Sequence, residues 1–229
     1  MEAFLTPEFW LAVGQIVMID ILLGGDNAVV IALACRNLPT ELRRKGILWG
    51  TAGAIVLRVI LIFFAMSLLA LPYLKLVGAA LLLWIGVKLL MPDDDSHDNI
   101  QASDKLLGAI KTIIVADFVM SVDNVIGIAG AAQGSGHEGH QMPLVIFGLL
   151  VSIPIIVWGS TLVLKLMDRF PLIITVGGML LGWIAGTLAI SDPALQAYAL
   201  DTDMNRYAAG VAGALLVLGL GTLLAKKRS

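Results

Sequence analysis

Long, unbroken apolar runs restrict the fold of this chain more than any other feature. Seven stretches, near residues 9–34, 46–70, 73–91, 106–132, 143–167, 171–191 and 206–225, approach or exceed bilayer-spanning length, for which about 20 apolar residues are needed. Inside lipid, backbone N–H and C=O groups must be satisfied within the protein, which leaves helices and closed barrels. Runs this long, without strand-like alternation, are helical. The expectation is therefore an all-α membrane protein of about seven transmembrane helices in a single membrane domain. Composition agrees, with 59% hydrophobic and 14% charged residues against about 45–50% and about 25% in a soluble domain. The lone cysteine, Cys35, excludes an intrachain disulfide and a cysteine-cluster metal site. The start, MEAFLTPEFW, is acidic and lacks the basic region of a cleaved signal peptide, so the first helix is expected to be retained.

Pro39, Pro72, Pro92, Pro143, Pro171 and Pro193 fall at or near the proposed ends, where helices tolerate them. Pro154 lies inside the fifth run and is expected to kink it. Basic residues set the orientation. With the N-terminus outside, the inner side collects Arg36, Arg43, Arg44, Lys45, Lys88, Lys105, Lys165, Arg169, Lys226, Lys227 and Arg228, leaving Lys75 and Arg206 outside. The positive-inside rule then predicts N-out and C-in. A linker near 92–105 would be cytoplasmic and the Gly/His stretch at 134–140 external.

The chain also repeats itself. DILLGGDN (20–27) returns as DFVMSVDN (117–124), an offset of 97, and Gly50 aligns with Gly148 at 98. PYLKLVGAALLLWIG (72–86) aligns with PLIITVGGMLLGWIA (171–185) at 99, keeping Pro72/Pro171, Gly78/Gly177 and Trp84/Trp183 in step. A near-constant offset across three runs indicates duplication: unit one at about 9–91, unit two at about 106–191, and a seventh helix added at about 206–225. An odd number of spans per unit inverts the second unit in the membrane, an arrangement found in transporters with midplane sites.

Within the duplicated motif stand Asp20, Asp26 and Asn27, then Asp117, Asp123 and Asn124. Each buried charge costs at least ~2.5 kcal/mol at mid-bilayer, so four carboxylates in matched pairs demand compensation. Residues seven apart share a helix face, which aligns Asp20 with Asn27 and Asp117 with Asn124. Gly24-Gly25 is expected to unwind the first helix and gather these groups with freed carbonyls. An all-oxygen ligand set suits hard divalent ions, Mn²⁺, Mg²⁺ or Ca²⁺. Interhelical hydrogen bonding by structural carboxylates is the plainer alternative.

Arg58 is the one basic residue well inside a run. Two roles are open to it: neutralising a carboxylate when metal is absent, or snorkelling and bracing the bundle. Clustered carboxylates cannot all stay ionised without a cation, and Arg58 offsets about one charge, so protons are expected to replace the metal. That expectation makes metal/proton antiport the mechanism to test. Met120, a turn from Asp117 and Asp123, could favour Mn²⁺ as a thioether ligand, although core packing is the commoner role. His137, Glu138 and His140 have the wrong spacing for a zinc-protease helix. Asp93, Asp94, Asp95, His97 and Asp98 read as a solvated run. Gly78, Gly86, Gly177, Gly178, Gly182 and Gly186 form small-residue packing faces.

DILLGGDNAVVIALA (20–34) and ADFVMSVDNVIGIAGAA (116–132), with Arg58 in the second run, resemble the TerC family of bacterial integral membrane proteins. The resemblance covers nearly the whole chain. It implies tellurium-resistance or manganese-efflux relatives, and metal handling by Asp20, Asp26, Asn27, Asp117, Asp123 and Asn124. The leading expectation is a Mn²⁺ exporter rather than an enzyme. Its partners would be a divalent ion and the lipid bilayer, with a homo-oligomer left open and no nucleic acid. Two other classes compete. An intramembrane aspartyl protease also needs two membrane-buried aspartates, but residues 23–26 read L-G-G-D rather than G-x-G-D. A membrane partner in metal delivery or tellurite stress would need a docking region that the chain does not display.

Overall fold

The computed structural model describes residues 7–69, 71–91, 102–133, 141–198 and 202–228. The side chains at 7–9, 12, 19–24, 65–69, 123–133, 141–144, 196–198 and 227–228 lie outside that description. All regular structure among the described residues is helical: α1 (Pro7–Cys35), α2 (Thr40–Leu69), α3 (Leu74–Leu90), α4 (Ala102–Gln133), α5 (Gln141–Arg169), α6 (Leu172–Ile190), a 3₁₀ helix (Pro193–Tyr198) and α7 (Asp203–Arg228). Each apolar run has become a helix, and several helices continue past the run into charged turns. Residues 102–105, expected as linker, are the first turn of α4, and α2 begins at Thr40, ahead of Arg43, Arg44 and Lys45. Lys, Arg and Glu are good helix formers, so backbone hydrogen bonding continues where the apolar stretch stops.

One local expectation turns out differently. α1 is continuous through Gly24-Gly25, with no unwound segment. Glycine costs about 1 kcal/mol relative to alanine in a helix interior, which a long packed helix absorbs. α5 carries Pro154 in its interior as one helical element.

Among the described residues, four segments are long and apolar enough to cross a membrane: Thr40–Phe64, Val145–Arg169, Leu172–Ile190 and Asp203–Lys226. Their outer surface is apolar too. Trp49, Phe63, Trp158 and Leu172 are each more than 60% exposed, a surface that only lipid would cover favourably.

The first six helices pair across the chain rather than along it. α1 lies on α5, α2 on α4, and α3 on α6, while α1 and α4 also meet each other. α7 packs on α6 and α3. The main apolar cluster draws Val30 and Leu33 from α1, Ala54 from α2, Leu82 and Ile85 from α3, Ile113 and Ala116 from α4, Leu164 from α5, and Leu181 from α6. Glycines permit the close approaches that drive helix association in lipid. A Cβ at Gly50 of α2 would lie 2.4 Å from Ile113 of α4, and one at Gly148 of α5 would lie 2.6 Å from Ile16 of α1.

Polar contacts tie helix ends together at opposite poles. At one pole Arg43 donates to Asp168 at the end of α5 (2.7 Å) and to the Arg36 and Leu38 carbonyls, and Arg36 donates to the Met91 carbonyl after α3. At the other, the fully buried Asp192 holds the end of α6 against the start of α3. Its carboxylate accepts hydrogen bonds from the backbone N–H of Tyr73 (2.9 Å), Leu76 (3.0 Å) and Ala194 (2.8 Å). Tyr73 adopts φ 67°, a left-handed conformation that costs a non-glycine residue energy. Burial pushes the Asp192 carboxyl up, but the backbone N–H groups of Ala194, Tyr73, Leu76 and Lys75 outweigh it and hold the carboxyl below its ordinary range.

A depressed folded-state pKa means the staple stabilises fully above the ordinary aspartate pKa of about 3.9 and is lost as pH falls through the lowered value. Asp192→Ala should therefore destabilise the protein by about 2–3 kcal/mol at neutral pH, since it strands buried N–H donors. Thermal unfolding in detergent should show the gap to wild type narrowing in acid. A gap that is unchanged at low pH would contradict the ionised staple.

Candidate functional site

Three helices converge on a buried polar centre. α4 carries Asp117 and Ser121 one turn apart, and the Ser121 hydroxyl donates to Asp117 Oδ2 (3.1 Å). α2 contributes Arg58, whose Nε donates to Ser121 Oγ (3.0 Å) and whose Nη2 pairs with Asp117 Oδ1. Arg58 is 2% exposed, Asp117 6% and Ser121 0%. The guanidinium is therefore a buried partner of a carboxylate, and the snorkelling role is set aside. Gly50 and Gly53 let α2 and α4 approach this closely, since Ile113 and Ile114 of α4 occupy the space their side chains would fill.

α1 supplies the opposite wall. Asn27 is 4% exposed, and neither its amide nitrogen nor its amide oxygen has a hydrogen-bond partner among the described residues. Leaving such groups unpaired costs about 1–3 kcal/mol each, and native proteins do so rarely. Asn27, Val30 and Ile31 from α1 and Ile113 and Asp117 from α4 line a cavity of about 10 Å³, a volume suited to one water or a single dehydrated ion. Asp26, half-buried beside Asn27, accepts the Asn27 backbone N–H (2.9 Å) and lies within electrostatic reach of Arg58 and Asp117.

The structure thus brings together four sequence-predicted residues: Asp26, Asn27, Asp117 and Arg58. Asp20 sits in α1, and Asp123 and Asn124 in α4, but their side chains lie outside the described residues. Among the described residues no three His, Cys, Asp or Glu side chains cluster as a metal site would require. Met120 is buried in the main apolar cluster. The acidic run at 93–98 and His137, Glu138 and His140 lie outside the described residues. Sequence reading did not single out Ser121 as a partner, and the only available signal was a hydroxyl one turn from a motif aspartate. It also passed over Thr51, whose buried hydroxyl has no partner among the described residues and which lies two turns before Arg58 on the same face of α2.

The family model described as "Integral membrane protein TerC family" matches residues 5–229. The chain belongs to the TerC family. This TerC-family chain is 40% identical to the Bacillus subtilis membrane protein YjbE over 191 residues, covering 83% of this chain and 84% of that one. It is 26% identical to YkoY of the same organism, over 83% of this chain and 63% of that one. The Escherichia coli inner membrane protein YgdQ is 28% identical over 56% of this chain and 61% of its own. No solved structure matches significantly. As a TerC-family member the chain is an integral, multi-pass membrane protein.

Proposed function

We propose that this TerC-family protein exports a divalent metal ion, preferentially Mn²⁺, across the bacterial inner membrane in exchange for protons. One observation carries the reading: the buried Asn27 amide, which has no hydrogen-bond partner among the described residues, faces a small cavity that it shares with Asp117. A carboxylate and a carboxamide oxygen around an ion-sized space are ligands for a hard divalent cation. Asp20, Asp123 and Asn124 belong to the same two motifs and would complete the coordination, and Mg²⁺ and Ca²⁺ fit the same donor chemistry. An aspartyl protease would need two carboxylates sharing a proton, whereas Arg58 and Ser121 engage both oxygens of Asp117.

Helix pairing supports two inverted units of three helices with α7 appended. α1 lies on α5 as α4 lies on α2. Gly50 against Ile113 and Gly148 against Ile16 are the same contact at offsets of 98 and 97. Gathering of Arg36 and Arg43 with the ends of α3 and α5 supports an inner face at that pole, hence N-out and C-in.

The test is reconstitution of the protein alone in liposomes enclosing a Mn²⁺ reporter and a pH-sensitive dye. Mn²⁺ entry should be accompanied by opposite proton movement, and Asp26→Ala and Asp117→Asn should each reduce Mn²⁺ flux at least tenfold while still inserting. Normal flux in both variants would exclude this site. Mn²⁺ flux without proton counter-movement at any imposed gradient would exclude antiport.

A further inference from the structure

Two copies of D-x₅-D-N suggest two equivalent half-sites, but the surroundings of the two copies differ. Asp117 in the second copy is held by Arg58 and Ser121. Position 58 corresponds, at the offset of 98 that aligns α2 with α5, to Ile156, which is 7% exposed within the main apolar cluster. Position 121 corresponds, at the offset of 97 between the motifs, to Gly24. At the aligned positions, therefore, neither the guanidinium nor the hydroxyl that engages Asp117 has a counterpart in the sequence. On the side of the first copy stands instead the buried amide of Asn27, which has no hydrogen-bond partner among the described residues and faces the cavity beside Asp117.

We infer that Arg58 is a permanent internal cation standing in for a second metal ion, so that the protein binds one divalent ion per chain, in the cavity between Asn27 and Asp117. This rests on the metal-transport reading above and gives it a stoichiometry. Guanidinium keeps its charge at every accessible pH, so Arg58 blocks the second position whatever the protonation of its neighbours. Its fork is already committed, Nε to Ser121 and Nη2 to Asp117. A second divalent ion on the Arg58 side of Asp117 would meet an immobile positive charge in a desolvated space, where repulsion is strong. In the cavity itself, Asn27 and Asp117 offer oxygen atoms, and the Asn27 amide gains a partner that it does not have among the described residues.

Binding of Mn²⁺ alone to the purified, chelator-stripped, full-length protein tests this. Metal is counted per chain by mass spectrometry after equilibrium dialysis, and electron paramagnetic resonance reports whether two Mn²⁺ ions lie close together. Wild type should bind one ion with the spectrum of isolated Mn²⁺. Arg58→Lys, which keeps a fixed charge, should also bind one. Arg58→Gln should bind two, with the broadened spectrum of a neighbouring pair. Two ions in wild type, or one in a folded Arg58→Gln variant, would overturn the inference. Should Arg58→Gln fail to fold, wild type and Arg58→Lys decide: one ion in each supports it, and two in either overturns it. A wild-type count of zero removes the metal site itself, which separates failure of the transport reading from failure of the stoichiometry.

Discussion

Asp117→Leu will destabilise the protein by about 3–5 kcal/mol, because it leaves the Arg58 charge buried without its carboxylate. The double variant Asp117→Leu/Arg58→Met will recover most of that loss, since apolar groups of similar volume replace a buried ion pair at little cost. Ser121→Ala removes a neutral bridge between the two and should cost about 1 kcal/mol. Unfolding of each variant in mixed micelles measures the three values. The single and double Asp117 variants should both be transport-dead, so stability and activity separate within one series. Equal destabilisation of single and double variants would show that Arg58 finds other compensation when Asp117 is gone, and that the pair is not what holds α2 to α4.

The second large effect lies far from the site. A Cβ at Gly213 of α7 would sit 2.1 Å from the Gly182 carbonyl oxygen of α6, and one at Gly182 would sit 2.3 Å from the Gly213 carbonyl oxygen. The obstacle is backbone on both sides, so no rotamer change relieves it and the helices must separate. Gly213→Ala should cost about 3 kcal/mol or more. Gly219→Ala, six residues on in the same helix with nothing within 4 Å, should be neutral or stabilise by up to about 1 kcal/mol. Equal effects of the two changes would mean that α6 and α7 are not in backbone contact. The comparison isolates packing, because helix propensity changes identically in both variants.

The helices were readable from the chain because bilayer thickness sets run length, and their cross-chain pairing was half readable through the offset between motifs. Helix ends were less so, since α2 and α4 extend through charged turns that carry no apolar signal. Gly24-Gly25 misled in the opposite direction: local propensity suggested a break, and the packing of α1 overrode it. At the site, Asp26, Asn27, Asp117 and Arg58 each stood out as polar groups in apolar runs. Their pairing did not, because Arg58 and Asp117 are 59 residues apart and only tertiary packing aligns them. Asp192 was missed for the same reason. Its Ser-Asp-Pro context announces a local cap, while its hydrogen bonds from Leu76 and Tyr73 reach back 116 and 119 positions.

The crossed pairing of the helices also bears on how the protein is made. α1 finds its principal partner in α5, and α2 finds its own in α4. When the first three helices have left the ribosome, α1 and α2 still lack the surfaces they will finally cover. Arg58 must likewise enter the bilayer before Asp117 exists to receive it. Through that interval the insertion machinery or lipid headgroups have to shelter a lone guanidinium, so assembly waits on the second half of the chain. Either half expressed by itself should be degraded, and the two halves co-expressed as separate polypeptides should rescue each other.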